Sequence, residues 1–138
     1  QYLDEDGQRH TVSASDINRY LHALTGADFT AKDYRTWAGS AMALATLRKL
    51  DWEPEADAKK HIVAMVKEVA RLLGNTPAVC RKCYIHPAVL EAFVIGELAN
   101  LPRSRQRKGF RLAEVALAGF LQGLQAAAAL REASDETP

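Results

Sequence analysis

Thr30-Ala31-Lys32-Asp33-Tyr34-Arg35-Thr36-Trp37-Ala38-Gly39-Ser40-Ala41-Met42-Ala43-Leu44-Ala45-Thr46-Leu47 decides the fold class. Thr30 suits a helix N-cap and Asp33 stands three residues later in the capping-box position. Tyr34, Trp37, Ala41, Leu44 and Leu47 recur at helical spacing, so a long helix is predicted over 31–50, broken by Asp51-Trp52-Glu53-Pro54. Downstream, Ile62, Val66, Val69 and Leu73 share one face of a helix over 55–73, with Gly74 just past its end. Thr76-Pro77 opens the next, which runs through Tyr84 and stops near His86, because Pro87 disfavours helical angles in the residue before it. Pro87 opens another helix to about Leu98. Upstream, Ser13 or Ser15 caps a short helix ended by Thr25-Gly26. Residues 1–12 read as a hairpin turning at Asp6-Gly7, and since a lone hairpin is marginal it is expected to belong to a larger sheet.

The chain has 138 residues, one domain's worth, and its 24 Ala and 16 Leu against 8 Val and 4 Ile favour helix over strand. A mainly α fold with a short N-terminal β-hairpin is therefore expected. Residues 1–98 form its body, 99–111 a basic linker, and 112–138 a terminal helix and frayed tail. In that last helix Leu117, Leu121, Leu124 and Ala128 make a stripe that should dock on an apolar surface. Wholly apolar runs are short and no basic leader precedes one, so a soluble chain with no membrane partner is expected. The chain begins with Gln1 inside the hairpin, which suggests a piece of a longer polypeptide.

The formal charge of +1 is unevenly spread. Residues 71–111 carry eight Lys or Arg against two Glu, enough positive charge to meet a polyanion. Arg103, Arg105, Arg107, Lys108 and Arg111 fall in the linker and are expected on backbone phosphates, although a solvated charge run is the competing reading. Cys80 and Cys83, the two cysteines, suggest no disulfide framework and fit a reducing compartment. Their spacing could signal redox chemistry or half a zinc site, but no second pair accompanies them, and they read as packing thiols. No metal site and no phosphate-binding Gly-rich loop is expected.

Two places could hold chemistry. Lys32 and Arg35 stand in the first turns of the 31–50 helix, where the macrodipole disfavours cations unless an anion binds. Free amides, an ammonium and a guanidinium there would cradle a phosphate, with Ala38 and Gly39 leaving the Arg35 face uncrowded. The competing reading sends both side chains into solvent. Asn75 stands at a second helix start and can donate to an anionic oxygen. Arg81, three residues before Tyr84, shares its patch of surface, and a cation beside a phenol favours nucleophilic attack. A loop-capping Asn and a packed Tyr with a wet tip compete with that reading.

Phe29-Thr30-Ala31-Lys32-Asp33-Tyr34-Arg35-Thr36-Trp37, then Asn75-Thr76-Pro77 and Tyr84 nine residues after Asn75, closely resembles the C-terminal part of type IB DNA topoisomerases of the compact bacterial, poxvirus-like kind. The resemblance spans about Val12 to Leu90. It implies the helical part of the catalytic domain shared with tyrosine recombinases. It also implies relaxation of double-stranded DNA through a 3′-phosphotyrosyl intermediate, with neither ATP nor metal as cofactor. By resemblance Tyr84 is the nucleophile, Arg35 the second catalytic arginine, and Asn75 takes the place of a histidine that contacts a phosphate oxygen. Lys32, Arg81 and Lys82 join the linker cations as DNA contacts, although Cys80-Arg81-Lys82-Cys83-Tyr84 departs from the Ser-Lys-x-x-Tyr of cellular relatives.

The family's first catalytic arginine and general-acid lysine lie before the part that resembles this chain. A fragment with three of five catalytic residues is therefore expected, inactive alone and partnered by the upstream half of the same polypeptide. A monomer in a bacterial cytoplasm, beside the nucleoid, is the accompanying expectation. A tyrosine recombinase is the nearest alternative, but its second-arginine box is usually His-x-x-Arg, against Lys32-Asp33-Tyr34-Arg35 here. A non-enzymatic helical DNA-binding module is the alternative from another class.

Overall fold

A computed structural model describes residues 1–51 and 55–135. The elements run β1 (Tyr2–Leu3), β2 (Arg9–His10), α1 (Ala14–Thr25), α2 (Ala31–Arg48), α3 (Glu55–Leu73), α4 (Pro77–Cys83), α5 (Pro87–Val94), a single 3-10 turn (Glu97–Asn100) and α6 (Leu112–Asp135). The mainly α class, with its hairpin, is as expected; the break at 52–54 lies outside the described residues.

Local sequence sets the helix ends. Ser13 with Asp16, and Thr30 with Asp33, form complete capping boxes. Gly26 closes α1 in the left-handed conformation, at φ 68°. α5 is shorter than expected: it stops at Val94, because Gly96 takes φ 79° and turns the chain into the 3-10 turn. The hairpin pairs Tyr2 with His10 and Leu3 with Arg9 as a sheet of two strands, and both strands are exposed.

α2 is the central post. Its Ala41, Ala43, Leu44 and Leu47 are buried together with Ile62, Met65, Val66 and Val69 of α3, Cys80 of α4, Val89, Ala92 and Phe93 of α5, and Leu98. α1 buries none of its residues, and Ile17, Tyr20 and Leu24 are exposed.

α6 docks on α2 through its first turns only. Leu117 and Phe120 are buried and Leu121 half-buried, whereas Leu124 and Ala128 of the expected stripe are exposed, as is every residue with a described side chain from Gln122 on. The stripe continues in sequence, but α6 runs antiparallel to α2, from Leu112 beside Arg48 to Leu121 beside Asp33 and Trp37, so its later turns pass beyond the start of α2 at Ala31. Short apolar runs notwithstanding, Leu112–Ser134 is long and apolar enough to cross a membrane by length and composition, its alanines supplying much of that character. The linker is tied at its start, where Arg48 Nη2 donates to the carbonyls of Leu101 and Pro102, the latter at 2.8 Å.

Candidate active site

The site forms where α2 crosses the junction of α3, α4 and α5. α3 ends in a Schellman turn: the Asn75 amide donates to Ala70 O at 2.9 Å and the Gly74 amide to Arg71 O at 3.3 Å, with Gly74 at φ 69°. The turn directs Asn75 toward α2, and Thr76 then caps α4 by accepting from the Val79 amide at 3.3 Å. Seven residues later α4 stops, and Tyr84 is its C-cap. Ile85 is buried and His86 caps α5, so the tyrosine sits on a short bridge anchored at both ends.

Arg35 reaches across this gap. Its Nη2 donates to Leu73 O at 2.6 Å and to the Asn75 side-chain oxygen, and its guanidinium carbon lies 4.8 Å from the centre of the Tyr84 ring. The Arg35 Nε is buried and has no hydrogen-bond partner among the described residues. Because the Asn75 oxygen accepts from Arg35, its NH2 is the end left to donate elsewhere. Arg35, Asn75 and Tyr84, spread over 50 residues of chain, thus come together.

The rest of the expected cradle looks different. The Thr30 and Asp33 amides are consumed by the capping box, and the Ala31 amide donates to the Asn18 side-chain oxygen at 3.0 Å, so the α2 start has few donors left for an anion. Lys32 is exposed, and no hydrogen bond joins it to the Arg35 group. The cation over the phenol is Arg35, not Arg81; Arg81 and Lys82 are exposed on the last turn of α4. Arg103, Arg105, Arg107, Lys108 and Arg111 are exposed along the linker. Cys80 is fully buried, and burial pushes its thiol above the ordinary value against the opposing pull of Arg35. Cys83 is half-buried, and both thiols are free.

The sequence assigned no part in the site to Thr36 or Ser40, and a different one to Gly39. Thr36 Oγ1 donates to Cys83 O at 3.2 Å, and Ser40 Oγ accepts from the His86 amide at 2.9 Å. Gly39 does not clear space for Arg35, as its position suggested. A Cβ there would fall on the Tyr84 carbonyl oxygen and lie 3.3 Å from Leu73 Cδ1. The available cue was a run of small residues, Thr36, Gly39 and Ser40, at i, i+3 and i+4 just after Arg35, which marks close helix approach.

Chemically, the arrangement groups a phenol, a guanidinium and an amide donor, all three half-buried. A guanidinium held in advance can offset charge that grows on phosphoryl oxygens, and the phenol oxygen can attack. A family model for the catalytic core of eukaryotic DNA topoisomerase I matches residues 5–101. DNA topoisomerase 1B of Acanthamoeba polyphaga mimivirus is 34% identical over 101 residues, a match that takes in 67% of this chain and 30% of the viral protein. A viral relative gives no support to the bacterial origin expected from sequence. The family match ends at Leu101, inside the first residues of the basic linker, so the linker cations from Arg103 on and α6 lie outside it.

Proposed function

The chain belongs to the type IB DNA topoisomerase family, and on that premise we propose that it is the nucleophile-bearing portion of an enzyme that relaxes supercoiled double-stranded DNA. The observation that carries this reading is Arg35, bonded to Asn75 and seated 4.8 Å over the Tyr84 ring. Tyr84 Oη attacks a backbone phosphorus and gives up its proton to solvent. A P–O bond to tyrosine forms, the P–O bond to the 5′-oxygen breaks, and that oxygen leaves as a hydroxyl once it has gained a proton. Arg35 and the Asn75 NH2 take up charge on the non-bridging oxygens of the transition state. Since one phosphodiester replaces another, the 5′-hydroxyl can reverse the attack and reseal the strand after it has swivelled, with no energy-supplying cofactor.

The proton donor and a further arginine are supplied by the upstream part of the same polypeptide, so this chain alone relaxes no DNA. Loss of a general acid costs about 10²- to 10⁴-fold, and loss of a transition-state charge contact about 10²- to 10³-fold. The exposed cations Lys32, Arg81, Lys82, Arg103, Arg105, Arg107, Lys108 and Arg111 add salt-sensitive affinity for backbone phosphates.

The test is covalent trapping. A nicked suicide oligonucleotide is incubated in EDTA with this chain, with and without the upstream half, and adducts are resolved on a denaturing gel. An adduct that needs the upstream half and vanishes in Tyr84→Phe is the expected result. Salt-sensitive binding with no adduct under either condition would favour a DNA-binding module instead.

A further inference from the structure

Three α2 residues touch the backbone around Tyr84. Ser40 Oγ accepts from the His86 amide at 2.9 Å, Thr36 Oγ1 donates to Cys83 O at 3.2 Å, and Gly39 gives the Tyr84 carbonyl room to approach. Ser40 is 2% exposed in an α2 segment otherwise filled by Ala41, Ala43 and Leu44. A hydroxyl there costs stability unless it is bonded, and its bond goes to the bridge that carries Tyr84. That bridge, residues 84–86, lies between two helices: the Tyr84 amide closes α4 on Cys80 O at 2.9 Å and the His86 carbonyl opens α5, while the His86 amide donates to Ser40. The helix that grips it also carries Arg35, so one rigid element fixes both the peptide bearing the phenol and the guanidinium over the ring. Thr36 is the weaker grip, because its single proton is shared with Lys32 O at 2.9 Å.

We infer that Ser40, seconded by Thr36, is a positioning residue that holds Tyr84 in register with Arg35 by fixing the backbone on either side of it. The inference rests on the reading of Tyr84 as nucleophile. Small displacements of a reacting group are costly: a shift of about 1 Å can lose on the order of 10²-fold in rate.

The test uses Ser40→Ala, Thr36→Val and the hydroxyl-retaining Thr36→Ser. Single-turnover adduct formation at saturating DNA and the DNA Kd are measured in the full-length polypeptide. Tyr84 ring resonances and their Overhauser contacts to Arg35 are measured in the 138-residue chain. Ser40→Ala should slow adduct formation by about 10- to 100-fold with Kd unchanged, and weaken the Tyr84–Arg35 contacts. Thr36→Val should show a smaller loss that Thr36→Ser restores. A wild-type rate in Ser40→Ala, a loss that appears in Kd instead of rate, or unchanged Tyr84–Arg35 contacts would overturn the inference. Should Ser40→Ala fail to fold, the Thr36 pair decides, and equal rates in Val and Ser variants overturn it. If wild-type protein forms no adduct while the contacts still respond to Ser40→Ala, the nucleophile reading fails and placement by Ser40 stands.

Discussion

Replacing Gly39 by alanine separates two effects of opposite sign. In an ordinary helix interior the change stabilises, since glycine is about 1 kcal/mol worse than alanine there. At position 39 the new Cβ meets the Tyr84 carbonyl oxygen, with the Tyr84 carbonyl carbon and Leu73 Cδ1 both at 3.3 Å. Two of those three atoms are backbone and cannot rotate away, so α2 and the 84–86 bridge must separate. Overpacking of this kind costs about 1–3 kcal/mol, and loss of the Thr36 and Ser40 bonds to the bridge adds roughly 1 kcal/mol each. After the helix-propensity gain is subtracted, the net loss is about 2–4 kcal/mol, or a fall in Tm on the order of 10 °C. Gly119 and Gly123 of α6 supply the control, because a Cβ at either meets nothing within 4 Å. Thermal unfolding followed by circular dichroism should show Gly39→Ala melting lower than the parent and Gly119→Ala or Gly123→Ala melting no lower. A Gly39→Ala variant that melts as high as the α6 controls would refute the close approach of α2 to the tyrosine bridge.

Four other outcomes are expected. Leu117→Ala should lose about 2–5 kcal/mol in chemical denaturation, whereas Leu124→Ala, on the exposed part of α6, should stay within about 0.5 kcal/mol; equal losses would mean that the far half of α6 is packed. An aromatic disulfide reagent should label Cys83 faster than the fully buried Cys80, and labelling in the reverse order would contradict the packing of α4. Burial raises the Cys80 thiol above its unfolded value, so its contribution to stability is present at neutral pH and is lost as pH climbs past about 8.5, the ordinary thiol value; Cys80→Ala should flatten that alkaline decline in a pH series of melts. The Asp33 carboxyl is held below its ordinary value by the Thr30 amide and then the Thr30 hydroxyl, so the cap of α2 is intact at neutral pH and weakens as pH falls below about 4. A Thr30 amide whose protection, corrected for intrinsic exchange, is unchanged at pH 3 would count against that cap.

The readable parts of the site are those whose cause is short-range in sequence. Thr30 with Asp33, Gly74 with Asn75, and Thr76 with Pro77 act over three or four residues, and each was legible from residue type and spacing. At the α2 start the capping box satisfies the Thr30 and Asp33 amides locally, so those two amides are not free beside the charges of Lys32 and Arg35. Arg35 escapes that end by reaching a carbonyl 38 residues away. The small residues Gly39 and Ser40 signal a close approach but not its partner, because what they touch is a bridge more than 40 residues downstream.

By itself, the sequence determined that this protein is helical, where most helices start and stop, and which residues carry the family pattern, since caps, turns and apolar periodicity are encoded within a few residues of where they act. Only the tertiary structure decided that Arg35 rather than Arg81 lies over Tyr84, that Asn75 bonds to Arg35, that Gly39 and Ser40 hold the tyrosine bridge, and that α6 docks by its first turns alone. These depend on how α2 crosses α3, α4 and α6, and a crossing is set by the packing of whole side-chain surfaces, which no short window of residues contains.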